Sequence, residues 1–246
     1  MWQWIHYWSA PKHFFQLAGK CLPFIVVITT VLLLYGLIAG LFFSPADYQQ
    51  GDAFRIIYVH VPSASLSLFI YTFIAINAAI GLIWRIKLAY IAAKSAAIMG
   101  ASFTLLALIT GALWGKPMWG TWWIWDARLT SELILLFLYL GYIALQHAMP
   151  DVTKADKASG LLAIVGVVNI PIIHYSVVWW NTLHQGATIS RLGQPTIDAS
   201  MRYPLFAMLL GAVGLFLIVL LIRMRTEILQ RKKRSHWVSE VLSHGI

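Results

Sequence analysis

Six apolar stretches, each long enough to cross a bilayer, constrain this chain more than any other feature of its sequence. A membrane-spanning helix needs roughly 20 apolar residues to cross about 30 Å of hydrocarbon. The stretches that meet this length lie at about 22–43, 62–84, 92–114, 129–147, 159–179 and 204–224. Hydrocarbon admits only structures that satisfy their own backbone groups. The sequence therefore predicts an all-α integral membrane protein, with six spans in a single domain over residues 1–246.

The composition agrees with lipid as the main solvent. Charged residues make up 11% of the chain, whereas soluble domains carry about 25%. The first span is too long for the apolar core of a signal peptide, and no small-residue cleavage site follows it, so we expect this span to be retained. The single cysteine, Cys21, excludes an intrachain disulfide and a CxxC motif within this sequence.

The basic residues predict how the spans are oriented. Of the 18 Lys and Arg, five lie on the side opposite the termini, namely Arg55, Lys116, Arg128, Arg191 and Arg202. Because Lys and Arg accumulate on the cytoplasmic side, both termini are predicted to lie inside. Three loops, at about 44–61, 115–128 and 180–203, then face outward. The net charge of +9 follows this pattern, which indicates contact with anionic lipid and not with nucleic acid.

A tryptophan-rich segment at 114–128 stands out among the outer loops. Its five tryptophans are Trp114, Trp119, Trp122, Trp123 and Trp125. An interfacial aromatic belt accounts for one or two tryptophans at a helix end, but not for five in one loop. Gly115, Pro117 and Gly120 predict an irregular backbone between them. A surface of packed indoles suits a large, flat, apolar ligand, and a protein–protein contact is the competing use.

Two of the eight histidines lie in the outer loops. His60 comes two residues before Pro62, and since proline is favoured in the first helical turn, we expect His60 just outside the second span. The helix dipole there favours neutral imidazole, the form that binds metals. His184 follows Trp179 and Trp180 at the outer end of the fifth span. The two imidazoles are candidates to ligate one iron from opposite faces; ordinary interfacial histidines are the alternative.

Arg55, Lys116 and Arg128 are the outer cations nearest these loops. An arginine fork binds both oxygens of a carboxylate. Arg55 and Arg128 are therefore predicted to contact ligand carboxylates, with lipid phosphate as the alternative. Asp126 precedes Arg128 and Glu132 follows it by one helical turn, so we expect both acids to orient Arg128 near a helix start.

The fifth span carries the polar residues Asn169, His174 and Ser176. Polar groups within a span usually face the interior of the bundle or a cavity. We expect His174 to make a hydrogen bond inside the bundle. The alternative is that His174 supports one of the iron ligands as its hydrogen-bond partner.

The core of the tryptophan-rich segment, 119–126, resembles the "WWD" signature of the heme-handling membrane proteins of cytochrome c maturation. The stretches 55–62 and 171–176 match the same family, and the resemblance covers essentially the whole chain. Its larger relatives, which form the thioether bonds of cytochrome c, have more spans and more histidines. The chain is similar to the short kind, which has six spans.

The resemblance implies that heme b is bound transiently as cargo, with His60 and His184 as its axial ligands. The tryptophan-rich segment, with Asp126 and Arg128, would hold heme at the periplasmic face of the bacterial inner membrane and present it to the heme chaperone CcmE. The resemblance also implies CcmA, CcmB and CcmD as partners. It implies a heme-transfer protein without a catalytic dyad, which is not an enzyme.

Two other functions fit a six-span chain. A cytochrome b-type electron-transfer subunit also uses two histidines, although such proteins usually place the pair within their spans. A permease for a small solute would be supported by broken helices at corresponding positions in two halves of the chain. The sequence shows no such symmetry, so the cytochrome is the stronger alternative.

Overall fold

A computed structural model of the chain describes residues 10–184 and 197–244. Six of its helices are long and apolar enough to cross a membrane. They are Pro11–Phe43, Asp52–Trp84, Lys87–Trp119, Ala127–Ala148, Val152–Trp179 and Ala199–Arg231. The described ranges contain no β-strand. The predicted all-α membrane fold with six spans is confirmed.

We label the α-helices in chain order. Helix α1 is Pro11–Ile38, extended by a π-helical turn at Ala39–Phe43. A short 3-10 helix, Asp52–Ile56, leads directly into α2, Ile57–Trp84. Helices α3 and α4 are Lys87–Trp119 and Ala127–Ala148. The fifth span is divided into α5, Val152–Gly166, and α6, Asn169–Trp179. Helix α7 is Ala199–Arg231, and the short helix α8 is His236–His244.

Two helices extend further into the expected loops than the sequence predicts. Helix α2 already begins at Ile57, so His60 lies in its first turn and not outside it. Helix α3 continues through Gly115 and Pro117, and the chain leaves the helix only at Gly120. The left-handed φ of 77° at Gly120 explains why a glycine ends the helix there. The irregular backbone expected from Gly115 onward is therefore confined to the residues between Gly120 and α4.

Helices α2 to α5 and α7 enclose the main apolar core, and α1 packs along the outside of α7. A Cβ added at Gly214 on α7 would lie 2.1 Å from Oγ1 of Thr29 on α1. Such small residues let membrane helices approach closely. The other side of α1 exposes apolar side chains such as Phe24 and Val31, which a bilayer or another membrane subunit would cover.

Ion pairs join the helices at the end of the bundle where α3 begins and α7 ends. Arg231 on α7 donates to Asp156 on α5 over 2.6 Å and to Glu227 over 2.7 Å. Lys94 on α3 donates to the same Glu227 over 2.8 Å. Without these partners the buried carboxylate of Asp156 would be left unpaired, which would be costly. These contacts fix three helices relative to one another, far from the cavity described next.

Candidate functional site

A cavity of about 280 Å³ opens at the end of the bundle where α2 begins and α3 ends. Its walls come from α2, α3 and α4, together with the segments that contain Gln50 and His184. The lining is largely apolar, with a few polar groups that converge on it, as in sites for small organic ligands. The lining residues that bear on function are His60, His184, Trp114, Trp119, Trp123 and Arg128.

The fold brings the imidazoles of His60 and His184 together in this cavity. Their ring centroids lie 6.4 Å apart, and the ring planes are inclined by 40°. His60 is carried by the first turn of α2, whereas His184 lies in the segment that follows α6. The two histidines singled out in the sequence thus share one site, although distant parts of the chain supply them.

Helix α3 holds the ring of His60 from one side. Nδ1 of His60 lies 3.0 Å from Oγ1 of Thr110. The indole of Trp114, one turn further along α3, packs edge-on against the imidazole at a centroid distance of 5.6 Å. Gly111 leaves room for the ring, since a Cβ added there would lie 3.2 Å from Cε1 of His60. Sequence reasoning missed Thr110, because a threonine within an apolar span gives no signal of its own.

The five tryptophans divide into two groups. Trp114, Trp119 and Trp123 line the cavity. Trp122 and Trp125 project outward, with exposed fractions of 53% and 77%. Trp114 and Trp119 lie in the last turns of helix α3. The segment therefore combines a helical wall of the cavity with a short exposed loop. This differs from the single irregular loop that the sequence predicts.

The indole N–H groups at the cavity have contrasting environments. Nε1 of Trp114 donates to Oε1 of Gln50 over 2.8 Å. Nε1 of Trp123 is buried, and no acceptor within the described part of the chain reaches it. A buried donor without an acceptor costs free energy. Trp123 therefore offers a hydrogen bond to a ligand that brings an acceptor into the cavity.

Arg128 lines the cavity from the first turn of α4, and its Nη1 donates to the carbonyl oxygen of Ile173 on α6 over 2.7 Å. Asp126 caps α4 by accepting from the backbone N–H of Leu129 over 2.8 Å. Within the described ranges neither Asp126 nor Glu132 hydrogen-bonds to Arg128. Both carboxylates still interact with the guanidinium electrostatically, so the expectation that they orient Arg128 stays a prediction.

Arg55 does not line the cavity. Its Nε donates to Asp52 over 2.9 Å, and its Nη1 donates to the carbonyl oxygen of Leu41 over 2.9 Å. These bonds join the end of α1 to the 3-10 helix before α2. The structure therefore engages Arg55 in joining these two segments and does not bring it to the cavity.

Glu132 is a buried side chain of the cavity wall that contacts a hydroxyl group on α2. Its Oε1 accepts from the hydroxyl of Ser67 on α2 over 2.7 Å. The hydroxyl of Tyr139, two turns along α4, donates to the carbonyl oxygen of the same Ser67 over 2.7 Å. A carboxylate within an apolar span was the signal available for it.

His174 lies on the exposed face of α6 and contacts the ring of Tyr175 at a centroid distance of 4.8 Å. No hydrogen bond of its side chain to the described residues is present, so the expected bond inside the bundle is wrong. Asn169, five positions earlier on α6, makes such a bond instead and donates to the carbonyl oxygen of Ser131 over 2.9 Å. The helical rotation between the two positions turns His174 away from α4.

Comparison with known proteins decides the family. The family model described as "CcmC: Heme exporter protein C" matches residues 4–239. The chain belongs to the CcmC family. Relatives named heme exporter protein C include that of Escherichia coli K12, 52% identical over 98% of both chains. That of Haemophilus influenzae is 50% identical over 97% of both chains. That of Bradyrhizobium diazoefficiens is 48% identical, over 92% of this chain and 85% of its own.

Membership in the CcmC family confirms the resemblance read from the tryptophan-rich signature. It supports a role in heme handling for cytochrome c maturation, in a multi-pass membrane protein. Among the described residues there is no cluster of three or more His, Cys, Asp or Glu that could hold a metal ion. The cavity instead presents a pair of imidazoles, which is a donor set suited to an iron whose remaining ligands are already supplied by a porphyrin.

Proposed function

We propose that this CcmC-family protein binds heme b as cargo in the cavity between His60 and His184, and delivers it to the heme chaperone CcmE. The observation that carries the proposal is the pairing of these two imidazoles in a cavity walled by indoles. Bond lengths support one iron between them. Metal–imidazole bonds of about 2.0 Å, with roughly 1.1 Å from each nitrogen to its ring centre, place the centroids about 6.2 Å apart when the two nitrogens face each other across the metal. The observed separation is 6.4 Å.

The polar groups of the cavity suit the carboxylates of heme. Arg128 brings a guanidinium to the wall, and Trp123 brings a buried indole N–H without an acceptor among the described residues. A propionate that accepts from both would gain charge-assisted hydrogen bonds. It would also satisfy the donor that the protein alone leaves unpaired. We assign propionate binding to Arg128 and not to Arg55, whose guanidinium is engaged with Asp52 and the end of α1.

The exposed tryptophans next to the cavity suit delivery to another protein. Trp122 and Trp125 stand beside the lining residue Trp123, and the ring of Trp125 packs edge-on against that of Trp123 at 5.5 Å. Tryptophans are enriched where proteins bind one another. A chaperone docked on this loop would lie beside the bound heme, and the protein would contribute binding and orientation of heme while the chaperone forms the covalent link.

The distribution of charge supports a site that faces the periplasm. Most Lys and Arg lie at the end of the bundle opposite the cavity, which the positive-inside rule assigns to the cytoplasm of a bacterial inner membrane. Anionic lipid headgroups are the natural partners of that basic end. The exposed apolar side of α1, which includes Phe24 and Val31, is available to membrane subunits such as CcmA–CcmB and CcmD.

Transfer of heme to CcmE tests this function. The protein is coexpressed with CcmE, and covalent heme on the chaperone is measured on a heme-stained denaturing gel. We expect heme on CcmE with the wild-type protein, and its loss with His60→Gly and with His184→Gly. The control is His236→Gly, since the side chain of His236 is 88% exposed at the far end of the chain. Heme on CcmE in every variant would overturn the proposal.

The cytochrome b-type alternative predicts a different behaviour. An electron carrier would keep its heme when CcmE is present and would be reduced by a quinol. The position of His60 in the first turn of α2, and of His184 beyond the end of α6, places the pair at the end of the bundle and not in its middle. That position favours a site from which heme is released.

A further inference from the structure

The hydrogen bond between His60 and Thr110 determines which imidazole nitrogen carries the proton. Oγ1 of Thr110 lies 3.0 Å from Nδ1 of His60. The same hydroxyl lies 2.7 Å from the carbonyl oxygen of Leu106 and donates its proton there. A hydroxyl has only one proton to donate. Toward His60 the oxygen of Thr110 therefore accepts, and Nδ1 must be the donor.

The bond to Thr110 places the proton of His60 on the side of the ring that faces α3. The position of this proton decides which ring nitrogen can bind a metal. With the proton on Nδ1, the lone pair of the neutral ring lies on Nε2.

We propose that Thr110 is a positioning residue, which holds His60 as the Nδ1-protonated tautomer and so makes Nε2 the iron-binding atom. The proposal rests on the proposed function of His60 as an axial ligand. Ligating histidines almost always donate their second N–H to a fixed acceptor, which sets the tautomer and makes the ligand more basic. Thr110 supplies that acceptor from a different helix, and α3 thereby fixes the orientation of a ligand carried by α2.

Loss of the acceptor has two expected effects on the bound heme. Removing such an outer partner typically weakens metal binding by about 10- to 100-fold. We expect a loss within that range for Thr110→Val. The less basic imidazole would also stabilise ferric iron less, so the reduction potential of the bound heme would rise.

Three variants test the proposal in the full-length protein. Thr110→Val keeps the shape of the side chain and removes the hydroxyl, whereas Thr110→Ser keeps a hydroxyl. Thr104→Val is the matched control, since Thr104 is a buried threonine on the same helix and donates to the carbonyl oxygen of Gly100 over 2.8 Å. Hemin affinity and reduction potential are measured for each. Helicity and elution as a single species show that each variant is folded.

The tautomer itself is measured without heme, by ¹⁵N NMR of protein labelled at histidine, with the His60 signals identified by their absence in His60→Gly. We expect Nδ1–H for His60 in the wild type. We expect weaker hemin binding and a raised potential in Thr110→Val, and wild-type values in Thr110→Ser and Thr104→Val. An Nε2–H tautomer in the wild type, or hemin affinity and potential in Thr110→Val equal to those of Thr104→Val, would overturn the role of Thr110.

The same measurements separate the two proposals. If His60→Gly abolishes hemin binding while Thr110→Val has no effect, the proposed function stands and the role of Thr110 is lost. If His60→Gly binds hemin as the wild type does, the proposed function fails, and the role of Thr110 fails with it even where the tautomer is as expected.

Discussion

Arg128 in the first turn of α4 donates through Nη1 to the carbonyl oxygen of Ile173 on α6, over 2.7 Å. The same guanidinium lines the cavity, so it joins two helices and presents a positive charge to a ligand. A charge-reversing Arg128→Glu substitution should lower the heme recovered with the purified protein at least tenfold, because a carboxylate would face the propionates. Heme content by pyridine hemochrome assay measures this. Heme content equal to that of the wild type would remove Arg128 from the site.

Arg55 provides the contrasting prediction. Its side chain holds Asp52 and the end of α1 and does not line the cavity. Arg55→Gln should lower the stability of the protein by about 1.5 kcal/mol, the lower end of the usual contribution of hydrogen bonds to charged groups, because Asp52 is exposed. Heme content per folded protein should stay at the wild-type level. The midpoint of thermal unfolding in detergent and the hemochrome assay measure the two effects, and a large loss of heme with unchanged stability would reverse this assignment.

The two groups of tryptophans should differ in phenotype. Replacing the exposed pair Trp122 and Trp125 by Ala should leave heme on the protein but reduce its transfer to CcmE severalfold, since their side chains face outward. Replacing Trp123 by Phe removes the buried N–H and keeps an aromatic ring, so heme content should fall instead. Heme bound to each protein is measured after purification. Equal effects of both changes on heme content would contradict this division.

The ion pairs at the opposite end of the bundle should affect stability alone. Asp156→Asn removes one of the two carboxylates that pair with Arg231 and leaves it paired with Glu227 alone. Breaking a buried pair by removing one member costs about 3–5 kcal/mol, and we expect a smaller loss here because Glu227 still compensates the charge of Arg231. Unfolding in a denaturing detergent should therefore occur at a lower fraction of that detergent. The spectrum of bound heme should be unchanged, and an altered spectrum would show that the two ends of the bundle are coupled.

The six spans were predictable because the length of an apolar stretch and the thickness of hydrocarbon decide them. The ends of the helices were not. Helix α2 starts at Ile57 directly after a 3-10 helix, and α3 accommodates Pro117 in its last turn, although both neighbourhoods look loop-like in sequence. A proline in the last turn of a helix loses the backbone hydrogen bond to the carbonyl four residues earlier, and here the helix continues only two residues beyond Pro117. The helix ends that glycine and proline alone predict therefore differ from those in the structure.

The candidate site was predictable in its residue types and less so in its contacts. His60, His184, Arg128 and three of the tryptophans meet in one cavity. Arg55 does not, because its nearest acceptors belong to the end of α1, and no sequence pattern reveals that packing. The engagement of Thr110 with His60 depends in the same way on the register between α2 and α3. Packing between helices, unlike span length, is not encoded in local patterns.

Axial ligation by His60 and His184 is tested most directly by the absorption spectrum of the purified protein, with and without added imidazole. We expect low-spin, six-coordinate heme in the wild type and in the control His236→Gly. His60→Gly and His184→Gly should each lose that spectrum, and imidazole should restore it by filling the vacated position. A wild-type protein without heme after expression in heme-replete cells, or unchanged spectra in both histidine variants, would contradict the central claim.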